Sequence, residues 1–123
     1  MVETLPHKSP LKWQKPVLHW SAQRVSAVAL LPLSIWLLIF LHQAFQAGYA
    51  ETLAWLSTPF NTVALLLWLI VSLYHAGLGI QVVLEDYTGG ARRQQLILLS
   101  NGFFILLGVA AVVAVIFIHI SPR

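Results

Sequence analysis

His75 sits inside a long apolar run, Leu73-Tyr74-His75-Ala76-Gly77-Leu78-Gly79-Ile80-Gln81-Val82-Val83-Leu84, which stops at Glu85-Asp86-Tyr87. A full charge placed mid-way along a membrane helix costs about 2.5–3.5 kcal/mol, so an ionisable residue there marks function by default. Imidazole can stay neutral, yet its two ring nitrogens still need partners. A metal satisfies one and a hydrogen bond the other. At the end of the same run, a phenol beside a carboxylate suits a quinone headgroup. Tyr87 can donate to a quinone carbonyl, and Asp86 can orient that phenol or relay protons.

Each reading has a plainer rival. At about 100° per residue, the face around His75 carries Val71, Ser72, Leu78, Gly79 and Val82. Gly79, one turn on, removes a side chain and leaves a flat slot suited to a planar macrocycle. The rival is a histidine that only hydrogen-bonds a neighbouring helix, with the glycines allowing close approach. Asp86, eleven residues on, returns to nearly the same face if the helix reaches that far. Its rival role is an ion pair with Arg92 or Arg93, and that of Tyr87 is an interfacial belt residue. Arg24 reads either as a snorkelling topology signal or as an anion partner, for instance of a haem propionate. Trp20 and Trp36 read as belt and packing residues, and Trp68 as core.

The other four histidines lie elsewhere in depth. His7 is in the N-terminal tail, His19 at the inner surface and His119 at the outer one. His42 and His75 differ by about 13 Å in depth at 1.5 Å per residue, so they cannot ligate one haem. If His75 binds haem with two histidines, the other must come from another chain.

The elements that carry these residues follow from composition. The 123 residues are 59% hydrophobic and 9% charged, against about 25% charged in soluble domains. The fold class expected is all-α, integral membrane, one domain over residues 1–123. The absence of cysteine excludes disulfides, a thiolate nucleophile and an iron–sulfur cluster held by this chain. The +3 net charge forms no nucleic-acid patch. The start has no secretory-signal pattern, so the chain is expected to be mature from Met1.

Residues 1–19 read as a basic inner-side tail whose three prolines argue against a long helix. Three spans follow, about 25–47, 61–84 and 95–118, each close to the roughly 20 residues needed to cross. Pro32 should kink the first. A short loop, about Gly48 to Pro59, joins it to the second, where Thr58-Pro59 suits a helix start. Gly89-Gly90 breaks the second span. Gly102, Gly108, Ala110 and Ala114 give the third a small-residue packing face. Lys8, Lys12, Lys15, Arg24, Arg92 and Arg93 place the N-terminus and second loop inside and the C-terminus outside. There is no internal repeat to suggest an inverted-repeat transporter.

The pattern His75-Ala76-x-x-Gly79-x-x-x-Val83-x-x-Asp86-Tyr87 resembles the small cytochrome b membrane-anchor subunit of succinate dehydrogenase, respiratory complex II. The stretch His19-Trp20-Ser21-Ala22-Gln23-Arg24-Val25-Ser26-Ala27, with Pro32 and Trp36, is similar to the first-helix signature of alpha-proteobacterial members. The resemblance covers about residues 19–90. It implies that His75 axially ligates haem b opposite a histidine of a larger cytochrome b anchor subunit. It implies that Tyr87 hydrogen-bonds ubiquinone beside the iron–sulfur subunit, preceded by Asp86, with Arg24 near the propionates or quinone. The chain would have no catalytic residues of its own. It would belong to an enzyme whose flavoprotein and iron–sulfur subunits dock on the inner face of a bacterial cytoplasmic membrane, passing electrons from succinate to ubiquinone. The alternatives are a fumarate reductase anchor working on a menaquinol, or a haem-free three-helix scaffold or transport-complex subunit.

Overall fold

The computed structural model describes residues 11–122, with side chains from Val17 onward. Expectations for residues 1–10, His7 and Lys8 among them, lie outside the described residues. Four helices follow in order: α1 Leu11–Gln46, α2 Tyr49–Leu56, α3 Pro59–Tyr87 and α4 Gly90–Ile120. Among the described residues, three stretches are long and apolar enough to cross a membrane: Val17–Gln46, Pro59–Tyr87 and Gly90–Ile120. At 29 to 31 residues apiece, each is about 45 Å long against a hydrocarbon core of about 30 Å. The ends therefore project or the helices tilt.

Three features differ from the sequence expectation. First, α1 starts at Leu11, well inside the stretch read as a tail. Pro16 is only the sixth residue of the helix, so its missing N–H interrupts the first turns alone. The helix also continues through Pro32. Second, the expected loop between the first two spans contains α2. Glu51 lies in its first turn, where the helix dipole favours an anion. Third, of the four small residues expected to form a packing face on α4, only Gly108 meets α3 among the described residues. Gly102, Ala110 and Ala114 are exposed, and a Cβ built on Gly102 would meet nothing within 4 Å. The packing face is made by Phe104, which lies 3.6 Å from where a Cβ on Gly77 would be, by Gly108 against Leu73, and by buried Val115.

Helix α3 is the centre of the molecule. It packs against α1 on one side and α4 on the other, and among the described residues α1 and α4 do not touch. His75 faces α1 and Gly77 faces α4, about 200° apart round α3. The three long helices thus form a single layer with little interior. Ser26, Leu56, Asn61, Thr62, Ala64 and Val115 are buried, and no large side chain is fully enclosed. Large apolar side chains cover both broad faces, a pattern suited to lipid and partner helices, not to water.

The end away from Tyr87 is tied by polar contacts. Thr58 caps α3 with Pro59 at its first position, but its hydroxyl donates back to the Trp55 carbonyl at 2.9 Å. Asn61 donates to the Trp55 carbonyl at 3.0 Å and accepts from Trp36 Nε1 at 3.1 Å. Trp36, Phe40 and Trp55 stack with centroids 5.3–5.9 Å apart. Thr62 Oγ1 lies 3.0 Å from His119 Nδ1, joining α3 to the last turn of α4. At the opposite end, Gly90 has φ +62°, a backbone state favourable to glycine, where the chain turns from α3 into α4.

Candidate functional site around His75

Helical spacing along α1 aligns His19, Gln23 and Ser26 on one face, and that face meets α3. Ser26 is 6% exposed. Its Oγ lies 3.0 Å from the Gln23 carbonyl, to which it donates, and 2.8 Å from His75 Nδ1. A hydroxyl has one proton. In the tautomer that directs this proton to Gln23, Ser26 accepts from the ring and Nδ1 carries the hydrogen. Nε2 is then a bare lone pair, without a hydrogen-bond partner among the described residues. His75 is half-buried, so its free nitrogen has access to the surface of the layer. This donor set fits an axial ligand: one nitrogen fixed, the other open to a metal.

Gly79 lies one turn further on. A Cβ there would sit 3.7 Å from Gln23 Nε2. The space that the sequence reads as a slot is therefore bordered by the Gln23 amide of α1. The same amide leaves its Oε1 buried and without a partner, as is Nε2 of His19.

The pairing of Ser26 with His75 also sets relative depth. Arg24 lies two residues before Ser26, hence about 3 Å from the level of His75 along α1. Arg24, which the sequence places just ahead of the first span, therefore lies well within the helix. The reason is the early start of α1, which places 13 residues ahead of Arg24. Arg24 points about 160° away from Ser26 round the helix, is exposed, and lies over the Trp20 ring at 5.4 Å. His42 is 16 residues beyond Ser26, about 24 Å along the helix, and contacts Gln46 at 3.4 Å. It is not near His75. Among the described residues, no three His, Asp or Glu side chains converge.

Helix α3 runs on to Tyr87. Asp86 thus shares the face of His75, about 16 Å along, and Tyr87 is about 18 Å along and about 120° round. Both are exposed, Tyr87 at 86%. Arg93 donates from Nε to the Thr88 carbonyl at 2.7 Å. The described structure therefore brings together His75, Gly79 and, at a distance, Asp86, while Arg24 and Tyr87 project elsewhere. Sequence reasoning missed Ser26 and Gln23 as neighbours of His75. The available signal was the helical spacing of His19, Gln23 and Ser26.

Three long apolar helices in one layer, with a half-buried histidine at mid-span, define a small multi-pass membrane protein. The profile of the succinate dehydrogenase/fumarate reductase transmembrane subunit matches residues 3–118. The chain is 41% identical over 101 residues to the succinate dehydrogenase hydrophobic membrane anchor subunit of Rickettsia conorii, covering 80% of each chain. It is 35% identical to that of Rickettsia typhi, covering 94% of this chain and 93% of the other. With that of Paracoccus denitrificans it shares 30% identity over 80% of this chain and 73% of the other. No solved structure matches it significantly. The chain belongs to the succinate dehydrogenase/fumarate reductase transmembrane subunit family. Its role is that of a hydrophobic membrane anchor within an oxidoreductase complex, and it is a multi-pass protein of the bacterial inner membrane.

Proposed function

We propose that this anchor shares one haem b with a second, larger anchor subunit and helps form the ubiquinone site of a succinate:ubiquinone oxidoreductase. The observation that carries the proposal is the state of His75: Nδ1 engaged by Ser26 at 2.8 Å and Nε2 left open at mid-span. With His42 about 24 Å further along α1, a second ligand would come from the partner anchor. Bound haem b supplies a one-electron relay inside the membrane. Gly79 keeps the next turn of α3 small beside it. Arg24, at nearly the same depth, is the candidate that would pair with a propionate.

Tyr87 and Asp86 serve the quinone. The phenol donates to a quinone carbonyl and the carboxylate orients it or passes a proton. Their separation from His75 keeps quinone and haem at distinct sites on one helix. The flavoprotein and iron–sulfur subunits dock on the Tyr87 side, which the Lys/Arg asymmetry makes the inner side, with the N-terminus inside and the C-terminus outside. Electrons from succinate reach ubiquinone there, and this chain binds and orients without catalytic residues of its own.

A second reading has one observation in its favour. The Ser26–His75 hydrogen bond joins α1 to α3, as a plain helix fastener would. Purification of the intact complex through a tag on this chain distinguishes the two. A reduced-minus-oxidised spectrum with b-type Soret and alpha bands, in a preparation whose mass spectrum contains the three partner subunits, supports the proposal. A stoichiometric complex without those bands makes His75 a fastener only.

A further inference from the structure

We infer that Ser26 is a positioning residue for His75: its hydroxyl fixes the ring tautomer and orientation and strengthens the imidazole as a ligand, an inference that rests on the haem reading above. Ser26 is 6% exposed, so water does not readily replace it. Its Oγ stands between the Gln23 carbonyl at 3.0 Å and His75 Nδ1 at 2.8 Å. The other polar group nearby, Gln23 Oε1, is buried without any partner and so is not the acceptor for Nδ1. Among the described residues the serine alone answers Nδ1, and the Gln23 backbone carbonyl beside it can take the hydroxyl proton and leave the oxygen to accept from the ring.

Two consequences follow. The first is mechanical. With Nδ1–H held from α1, the ring cannot turn freely about its own axis, and Nε2 keeps one direction for the metal. The second is electronic. A hydrogen bond accepted from Nδ1–H raises the basicity of the ligating nitrogen, and loss of such an outer partner typically costs about 10–100-fold in metal affinity or activity. A more basic imidazole favours ferric over ferrous iron. Loss of the hydroxyl should therefore raise the haem midpoint potential and loosen haem retention.

The test compares Ser26→Ala, Ser26→Thr and Ser26→Val in the purified complex, with His75→Ala as the control. Threonine and valine share one shape and differ by the hydroxyl, so the pair removes packing from the comparison. The readouts are the haem midpoint potential, the low-spin ferric EPR g-values and the rate of haem transfer to an excess acceptor protein. The expected result is an upward shift of potential, altered g-values and about tenfold faster haem loss in the alanine and valine variants, with threonine close to the unsubstituted protein. Identical potentials and g-values in threonine and valine variants, while His75→Ala abolishes the b-type spectrum, would overturn the role of Ser26 and leave the haem reading standing. A b-type spectrum unchanged in His75→Ala would overturn both.

Discussion

The phenol of Tyr87 is 86% exposed at the last residue of α3, free to meet a ligand or a partner chain. Tyr87→Phe removes one hydroxyl and keeps the ring. If that hydroxyl bonds a quinone carbonyl, its loss costs about 0.5–1.5 kcal/mol, more if a buried carbonyl is left unpaired. Quinone reduction should then fall severalfold, with the haem spectrum and succinate oxidation by an artificial flavin-site acceptor unchanged. Normal quinone turnover in the variant would make Tyr87 a belt residue. At this scale the sequence is informative about residues whose chemistry is unusual for their surroundings. His75 and the Asp86-Tyr87 pair stand out from an apolar run by type and position alone. Ser26 does not, because a serine in a membrane helix is ordinary. Its importance comes from the register of α1 against α3, which no single-helix periodicity contains. The same register moves Arg24 from the membrane surface to near the level of His75.

Among the elements, α1, α3 and α4 are legible because an unbroken apolar stretch with glycine or proline boundaries has few other solutions in a bilayer. The eight-residue α2 is not. An isolated helix of that length is marginal, and its place is held by contacts distant in sequence: the Trp36–Phe40–Trp55 stack and Asn61 on the Trp55 carbonyl. Asn61→Ala should therefore lower the thermal stability of the assembled complex, since it removes the acceptor of the half-buried Trp36 Nε1–H, at a cost of about 0.5–1.5 kcal/mol. An unchanged melting temperature would mean that α2 is held by packing alone. Of the expected face of α4, Gly108 meets α3 and Gly102 does not, because small residues signal close packing only where a neighbour arrives, and the neighbour arrives on the side of Phe104 and Gly108. Gly77→Ala should be tolerated against Phe104, with 3.6 Å available to the new Cβ. Gly77→Leu should overpack the α3–α4 contact by about 1–3 kcal/mol, whereas Gly102→Leu should leave that contact untouched. Differential scanning of the detergent-solubilised variants checks the order. Equal effects at positions 77 and 102 would contradict it.

At the scale of the whole molecule, the single-layer arrangement matters most. Three helices in a row, with α1 and α4 apart among the described residues, leave both broad faces apolar and open. Such faces suit lipid and partner helices, which agrees with membership of an anchor family. Orientation follows from charge. A reporter fused after Arg123 should be active only as an exported enzyme, and one inserted at Gly89-Gly90 only as a cytoplasmic one. The reverse pattern would put Tyr87 on the side away from the dehydrogenase head. The central claim, that this anchor holds haem through His75, is tested most directly by reduced-minus-oxidised spectra of purified complexes carrying His75→Ala and, as a control at a different depth, His42→Ala. The account predicts loss or marked alteration of the b-type bands in the first and a wild-type spectrum in the second. Bands of full intensity and unchanged line shape in His75→Ala would contradict it.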